Sequence, residues 1–508
     1  MHSDRPAAHW APNIETINGA PNEIEAVPVA ADMEYHRVHA QSDPVVDETR
    51  GALLLPDSPS ANNSRLQAQA SPPSKDSNGT LKEAERHDAS LSMDNGMLEA
   101  QPDNSPRETE ERNGTADRHS KQGKSAFQNT LENFTPKWFA ISMNTGILAI
   151  LVHEIPYQFK GLYVLSIIMY LVDLTLFVIV CSMTILRWAL YPKAAKRKSA
   201  ASIDEIAFLA AAPITFLYLT SLTGIIVSNA YWGGHAWSLV AYSMWWIGMA
   251  WMLTMCFVVN ITLFRVNLVD DRSMMPSAFL PAVGVATAAL VGGQVVNYSY
   301  DVSPRLAVPV IIVAYLLCGL AIWLSIILYG IFFHRLMASG WPEPAKRPTL
   351  MLLVGPFGQT SAALQILATD ALTKMDFAGY HKGTFLQASA ASGVSSASIL
   401  FALLLLGHDI FWIICCIFGI LEGAFKRQLS YNLTWWSTIF PVGTMASAFL
   451  ELSISIDSPT FKVLTTALLL LLLVDYFVNW GFTLYYIFTS DLLFKKADKD
   501  MPDEEKLD

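Results

Sequence analysis

The chain has 508 residues, of which 52% are hydrophobic and only 15% are charged. Soluble globular proteins carry about a quarter of charged residues, so this composition excludes an ordinary soluble domain and favours a membrane protein. The formal net charge of −10 belongs to residues 1–133, which hold 12 Lys and Arg against 22 Asp and Glu. The rest of the chain is formally neutral, so the acidic charge does not point to a ligand.

Residues 1–133 are rich in Ser, Asn, Pro and acidic residues and poor in aromatic residues. Such a segment does not bury enough apolar surface to offset the entropy of ordering its chain. We therefore expect a disordered, cytoplasmic, acidic tail. The first residues, MHSDRPAAHW, lack the basic stretch and apolar core of a signal peptide, so insertion is expected to begin with the first membrane span.

From residue 136 onwards, long apolar runs alternate with short polar breaks. Each run approaches or exceeds the roughly 20 residues that a helix needs to cross about 30 Å of hydrocarbon. Runs of this length predict an all-α polytopic membrane domain over residues 134–490, followed by a charged cytoplasmic C-terminal tail over 491–508. The ten predicted spans cover 136–154, 162–189, 205–228, 236–264, 277–298, 306–333, 349–371, 394–421, 433–455 and 461–490.

The loops after the even-numbered spans carry most of the basic residues. Twelve Lys and Arg lie in these loops, against five in the loops on the other side. Because basic loops stay in the cytoplasm, both termini are predicted to be cytoplasmic. The twelve are Arg187, Lys193, Lys196, Arg197, Lys198, Arg265, Arg272, Arg335, Lys346, Arg347, Lys426 and Arg427.

The odd-numbered spans differ from the even-numbered ones in composition. Each odd span carries a small or helix-breaking group near its middle and continues with small and hydroxylated residues. Backbone groups freed by such residues need protein or water partners in lipid, so these helices are predicted to lie inside. The bulkier even spans can face lipid, giving five helical hairpins around a central pore. The alternative is that Pro, Gly and small residues merely help membrane helices to pack.

Three segments resemble one known family. They are FTPKWFAISMNTGILAILVHEIPYQFKGL (134–162), LVGPFGQTSAALQILA (353–368) and NLTWWSTIFPVGTMASAF (432–449). They are similar to the tellurite-resistance/dicarboxylate transporter family, which includes fungal malic-acid permeases, fungal sulfite efflux pumps and plant slow anion channels. PYQFKGL looks more like the malic-acid permeases. The resemblance implies ten helices in five hairpins, with the odd helices lining a pore that a phenylalanine occludes.

The resemblance also assigns the gate. The family's gating phenylalanine matches Phe440 in STIFPVG, next to a proline that permits a local bend. The alternative is an ordinary aromatic packed against the tenth helix. One departure is Ser202-Ile203-Asp204-Glu205, which replaces a His-Pro pair of many fungal members and is expected to place two acids at an inner pore mouth.

The inferred pore helices carry no Arg or Lys at mid-depth. An anion would then be held by hydroxyls, amides and backbone dipoles. The predicted pore-lining or anion-contacting residues are Thr145, Gly146, Pro213, Pro281, Gln294, Pro356, Gln359, Thr360, Gln365, Pro441 and Thr444. For each Thr and Gln the alternative is a helix–helix contact.

Ionisable residues inside a membrane are candidates for function. Glu451 lies near the outer end of an inferred pore helix and is a candidate titrating group, whereas Asp173 and Asp475 on even spans favour structural hydrogen bonding. The five cysteines lie in apolar runs with no zinc spacing, and no phosphate-binding loop or catalytic motif is present. We therefore predict no metal, no cofactor, no enzymatic activity and no nucleic-acid partner.

The first functional hypothesis is transport of small organic anions, such as malate and other C4-dicarboxylates, by a channel or a secondary transporter. A sulfite or other inorganic-anion efflux pump is the alternative within this class. From other classes come a membrane receptor with the acidic tail as its signalling arm, and a membrane-embedded enzyme. The resemblance also implies the plasma membrane as location and a homotrimer as assembly.

Overall fold

A computed structural model of the chain describes residues 126–266, 274–374 and 387–489, and all regular secondary structure in these ranges is helical. In chain order the α-helices are α1 Ala126–Asn133, α2 Phe139–Glu154, α3 Lys160–Leu190, α4 Pro192–Ala201, α5 Ile203–Ala207, α6 Ala211–Leu222, α7 His235–Val266, α8 Leu280–Tyr298, α9 Pro304–Ser339, α10 Gly355–Thr373, α11 Ala388–Phe425, α12 Ile439–Ser455 and α13 Pro459–Phe488. The sequence-based prediction of an all-α fold is confirmed.

Within the described ranges, nine helical stretches are long and apolar enough to cross a membrane. They coincide with the second to the tenth predicted spans, and their ends differ from the predicted ones by six residues at most. The chain is therefore a multi-pass membrane protein. The nine stretches are 160–190, 203–227, 235–265, 276–298, 304–339, 344–373, 388–425, 433–455 and 459–488.

The first predicted span is the shorter helix α2, preceded by a 3-10 turn at Pro136–Trp138. Its 16 residues rise about 24 Å, which is less than the ~30 Å of hydrocarbon. The 3-10 turn adds about 6 Å. Residues 139–152 are buried without exception. The exact count of ten spans stays a prediction.

In each odd-numbered span a 3-10 segment leads directly into the main α-helix, and in the third span the short helix α5 comes before that segment. These segments are Pro136–Trp138, Phe208–Ala210, Pro276–Phe279, Pro344–Leu353 and Leu433–Thr438. In four of the spans a proline is the second or third residue of the α-helix: Pro213, Pro281, Pro356 and Pro441. A residue without an N–H loses no helical hydrogen bond in the first turn. These prolines therefore mark a change of helix type.

The helices form an inner ring surrounded by an outer layer. In the ring, α2 packs on α6, α6 on α8, α8 on α10, α10 on α12, and α12 returns to α2. Each ring helix also packs on the outer helix that follows it, namely α3, α7, α9, α11 or α13. The ring helices are almost wholly buried, whereas the outer helices bury fewer than half of the residues in their apolar stretches. The small-residue helices thus lie inside and the bulky helices outside.

Order begins before the predicted domain boundary at residue 134. Helix α1 occupies the last eight residues of the stretch that composition predicted to be disordered. Leu131 and Phe134 are buried, and the Phe134 ring stacks on Trp138 with centroids 6.1 Å apart. Apolar anchors therefore extend the ordered domain to residue 126. The rest of the predicted N-terminal tail and the predicted C-terminal tail (491–508) lie outside the described residues.

Candidate functional site at the centre of the ring

Two aromatic side chains meet inside the ring. The Phe440 ring of α12 contacts the Tyr218 ring of α6 edge-on, with centroids 5.9 Å apart and planes at 76°. Phe440 has no exposed surface and Tyr218 is 1% exposed. Phe440 is the residue that the sequence predicted as a gate, whereas Tyr218 was not singled out. The sequence does not distinguish it, because α6 also carries the bulky ring of Phe216.

All five ring helices converge on this aromatic pair. Gly146 of α2 lies against Tyr218, since a Cβ added to the glycine would stand 2.8 Å from the Tyr218 Cβ. The Tyr218 hydroxyl accepts a hydrogen bond from Gln359 Nε2 of α10 at 3.1 Å and also interacts with Thr287 of α8. Phe440 contributes the α12 side. The pair therefore lies where the axis of the ring passes.

Two glycines of the ring helices allow carboxyl groups of the outer helices to approach the ring closely. A Cβ on Gly146 would stand 2.7 Å from Asp173 Oδ2 of α3, and one on Gly358 would stand 2.8 Å from Asp409 Oδ2 of α11. Real Cβ atoms essentially never approach other atoms so closely. Asp173 also accepts a 2.5 Å hydrogen bond from Ser142 of α2. The structural role predicted for Asp173 agrees with this contact, and Asp409 forms a second such junction.

Most other predicted contact residues hold neighbouring segments together. Thr145 bonds the Ile141 carbonyl at 2.8 Å and the Tyr476 hydroxyl of α13 at 2.9 Å. Gln294 Oε1 accepts from Ser221 Oγ at 2.7 Å, which joins α8 to α6. Gln365 Nε2 donates to the Ala448 carbonyl at 3.1 Å, which joins α10 to α12. These three side chains therefore make the helix–helix contacts that were the alternative reading.

Two predicted threonines lie one turn after the prolines. Thr360 donates to the Pro356 carbonyl at 2.6 Å, and Thr444 donates to the Pro441 carbonyl at 2.7 Å. Both side chains are buried. Thr444 also faces Gly358, because a Cβ on that glycine would stand 2.8 Å from the Thr444 hydroxyl. Thr444 thus lies one turn beyond Phe440, next to the α10 glycine.

The two acids expected at the inner mouth are paired. Asp204 accepts hydrogen bonds from Lys137 Nζ at 3.2 Å and from Ser277 Oγ at 2.5 Å. Glu205 lies 3.8 Å from the guanidinium of Arg187. Asp204 therefore ties the starts of three ring spans together. The expectation that Asp204 and Glu205 lie at an inner pore mouth stays a prediction.

Carboxyl groups gather at the C-terminal ends of the ring helices. Glu451 of α12 lies within electrostatic range of Glu154 at the end of α2 and of Asp370 near the end of α10. Tyr298 at the end of α8 lies within electrostatic range of the carboxyl groups of Glu451, Glu154 and Asp370. Glu451 is 5% exposed and Asp370 is fully buried. The predicted titrating residue therefore has two acidic neighbours, Glu154 and Asp370.

A family comparison agrees with this architecture. The family described as "SLAC1: Voltage-dependent anion channel" matches residues 133–484, from the last residue of α1 almost to the end of α13. The chain belongs to this family. It is therefore an anion channel or transporter and not an enzyme, and the family resemblance seen in the sequence is confirmed.

Relatives named for two different anions match this member of the family. The sulfite efflux pump SSU1 of Arthroderma benhamiae is 26% identical over 365 residues, covering 71% of this chain and 93% of that protein. The malic acid transport protein of Schizosaccharomyces pombe is 23% identical over 372 residues, covering 73% and 82%. The uncharacterized transporter MJ0576 of Methanocaldococcus jannaschii is 24% identical over 321 residues, covering 63% and 83%.

Proposed function

We propose that the chain moves small anions along the axis of the inner ring, and that Phe440 and Tyr218 together close the path. The observation that carries this proposal is the convergence of all five ring helices on the two rings. A pair of bulky aromatic side chains among small residues narrows a channel and excludes water, which raises the barrier to an ion.

Dipolar groups are the proposed anion contacts, because the ring helices α2, α6, α8, α10 and α12 contain no Lys or Arg. Gln359 is the best placed of them: its Nε2 bonds the Tyr218 hydroxyl and its Oε1 has no partner among the described residues. A tyrosine hydroxyl can donate as well as accept. If the Gln359 amide turns over, Tyr218 donates to Oε1 and the amide NH₂ becomes free to bind an anion.

Thr444 is the second proposed contact, since its hydroxyl lies one turn from Phe440 and faces the glycine side of α10. Thr145, Gln294 and Gln365 are better explained as structural contacts, because their polar groups already bind neighbouring helices. Gly146, Pro213, Pro281, Pro356, Thr360 and Pro441 shape the backbone of the path in this proposal.

The proposed substrates are C4-dicarboxylates such as malate, as the sequence predicted. Sulfite is the second candidate, and one observation favours it. The matched sulfite efflux pump is 26% identical and is covered over 93% of its own length, against 23% and 82% for the malic acid transport protein. A plasma-membrane location, cytoplasmic termini and a homotrimer complete the proposal.

The test is the flux of labelled malate and labelled sulfite in vesicles that contain the purified protein. Wild type should move at least one of the two, and Phe440→Ala should raise the basal flux of that anion severalfold, with a smaller rise for Phe440→Leu. The matched control is Phe418→Ala on the lipid-facing side of α11, where the ring is 65% exposed. An inserted Phe440→Ala protein with unchanged or lower flux for both anions would refute the gate.

A further inference from the structure

We propose that Glu154, Asp370 and Glu451 form one proton-binding site at the C-terminal end of the ring, and that protonation of this site admits anions to the path. This inference rests on the proposed anion transport. It assigns a ligand, the proton, to a group of side chains that the gate does not use.

The geometry starts from three ring helices. Glu154 is the last residue of α2, Asp370 lies in the last turn of α10, and Glu451 lies one turn before the end of α12. Glu451 is within electrostatic range of the other two. The three carboxyl groups therefore share one end of the ring, on three helices that pack side by side in the order α10, α12, α2.

Asp370 supplies an independent observation. Its side chain has no exposed surface, and neither carboxyl oxygen has a hydrogen-bond partner within the described part of the chain. The carboxyl points towards α8, where a Cβ on Gly293 would stand 3.1 Å from Asp370 Oδ2. Glu154 Oε1 is likewise buried without a described partner. A buried carboxylate without hydrogen-bond partners is costly, and binding a proton lowers this cost because it removes the charge.

Among the described residues, the surroundings of the three carboxyl groups supply little positive charge. Lys374, the residue directly after α10, is the cation that acts on Asp370 among the described residues. From the other packed helices, Tyr298 of α8 and Tyr315 of α9 face the same group. His153, next to Glu154, packs its ring on Tyr163, and its buried Nδ1 has no hydrogen-bond partner among the described residues. Lys462 of α13 binds Asp457.

Three physical effects favour the protonated form. Burial disfavours a charged carboxylate, and a like charge nearby disfavours it further, so neighbouring buried carboxyls share protons. All three groups also lie at helix C-termini, where the backbone dipoles present partial negative charge. The fully ionised cluster is therefore the costly state.

The same charges decide whether an anion can pass. An ionised cluster repels an anion at this end of the ring, whereas a protonated cluster removes the repulsion and offers O–H donors. Proton binding and anion entry thus favour each other, as two ligands linked through one site do. A carboxyl becomes neutral as pH falls, so flux should rise when the pH on this side is lowered. The predicted orientation places this end outside the cell.

The experiment measures anion flux in vesicles while the pH on one side is varied. Wild type should show flux that increases severalfold as the pH falls, and Asp370→Asn with Glu451→Gln should give high flux with a flat pH profile. Because the substrate titrates identically in every arm, the difference between variants reports the protein. A double variant that keeps the wild-type pH profile would overturn the proposal, and Glu154→Gln provides a second test if the double variant does not fold.

The matched control is Asp457→Asn. Asp457 lies at the same end of the chain's ring helices but is 87% exposed and bound to Lys462, whose hydrogen bond lowers the pKa of the Asp457 carboxyl. This variant should keep the wild-type profile. Infrared titration of the purified protein tests the proton-binding site separately from the proposed anion transport, because it detects protonated carboxyl groups without any transport. Wild type should show a protonated-carboxyl band that Asp370→Asn diminishes, and an unchanged band would contradict the site even if transport were absent.

Discussion

Single glycines set how closely the two layers of helices approach. Gly146 and Gly358 each lie where a Cβ would collide with an outer-helix carboxyl group and with a side chain of another ring helix. The absence of a side chain allows a polar group of the outer layer to reach the ring at the level of the aromatic pair. Asp173 and Asp409, which a linear reading places on lipid-facing helices, are consequently buried.

Replacing Gly146 with alanine should destabilise the folded protein by about 1–3 kcal/mol, because the added methyl group overpacks the contact with Tyr218 and Asp173. Thermal unfolding of the purified protein measures the effect. The control is Gly407→Ala on α11, where a Cβ would meet nothing within 4 Å. That change should be neutral or slightly stabilising, since alanine is the better helix former. Equal effects of the two changes would argue against a close contact at Gly146.

The two rings of the proposed gate should act as a unit. Tyr218→Ala removes the partner of Phe440 and should raise anion flux in the same direction as Phe440→Ala, because either change opens space on the axis. The double variant should exceed the larger single effect only slightly, as expected for residues in direct contact. Flux in vesicles measures all three proteins. Fully additive effects on the logarithm of the flux would mean that the rings do not share one gate.

At the scale of the element, the basic residues of the loops have two kinds of role. Three of the twelve counted for orientation are buried and bound: Arg187 lies near Glu205, Arg335 donates to the Gly340 carbonyl at 2.6 Å, and Arg347 donates to the Gly419 carbonyl at 3.2 Å. These guanidiniums join helix ends. The remaining basic residues of the same loops still outnumber those opposite, so the predicted orientation keeps its support.

Labelling with a membrane-impermeant thiol reagent tests the orientation. A cysteine at Lys196 of α4 or at Lys346 should resist the reagent in intact cells, because both positions lie at the predicted cytoplasmic ends of the helices. A cysteine at Tyr231, which is 97% exposed in the loop before α7, should react. Permeabilised cells provide the control, since all three should then be labelled. Labelling of the cysteine at position 196 in intact cells would show that the orientation is the reverse of the predicted one.

At the scale of the whole molecule, the region that matches the family contains the ring and all of its outer layer except the last four residues of α13. Residues 1–120 precede this region. Deletion of residues 1–120 should leave anion flux per inserted molecule within a few-fold of wild type, because the ring, its outer layer and helix α1 all remain. Flux normalised to the amount of inserted protein measures this. Loss of all flux in a normally inserted protein would show that the tail takes part in transport.

The sequence by itself determined the class, the positions of the membrane helices and their division into two kinds. The length of a hydrophobic run is a local property of the sequence. The ends of nine predicted spans therefore agree with those of the helices in the structure to within six residues. The alternation of small-residue and bulky spans is equally local, and it correctly separated inner from outer helices because bulky apolar faces need lipid. The motif around Phe440 also lay in one short segment, although the sequence did not test its role.

Only the tertiary structure decided which side chains share the centre. Tyr218 joins Phe440 across 222 positions of chain, and no periodicity within one helix encodes such a contact. The carboxyl groups of Glu154, Asp370 and Glu451 belong to three different helices for the same reason. The pairing of Asp204 with Lys137 likewise depends on how helix ends meet. Packing and glycine contacts set the distances between helices. Which charged side chains share a site in this fold is therefore visible only in the assembled ring.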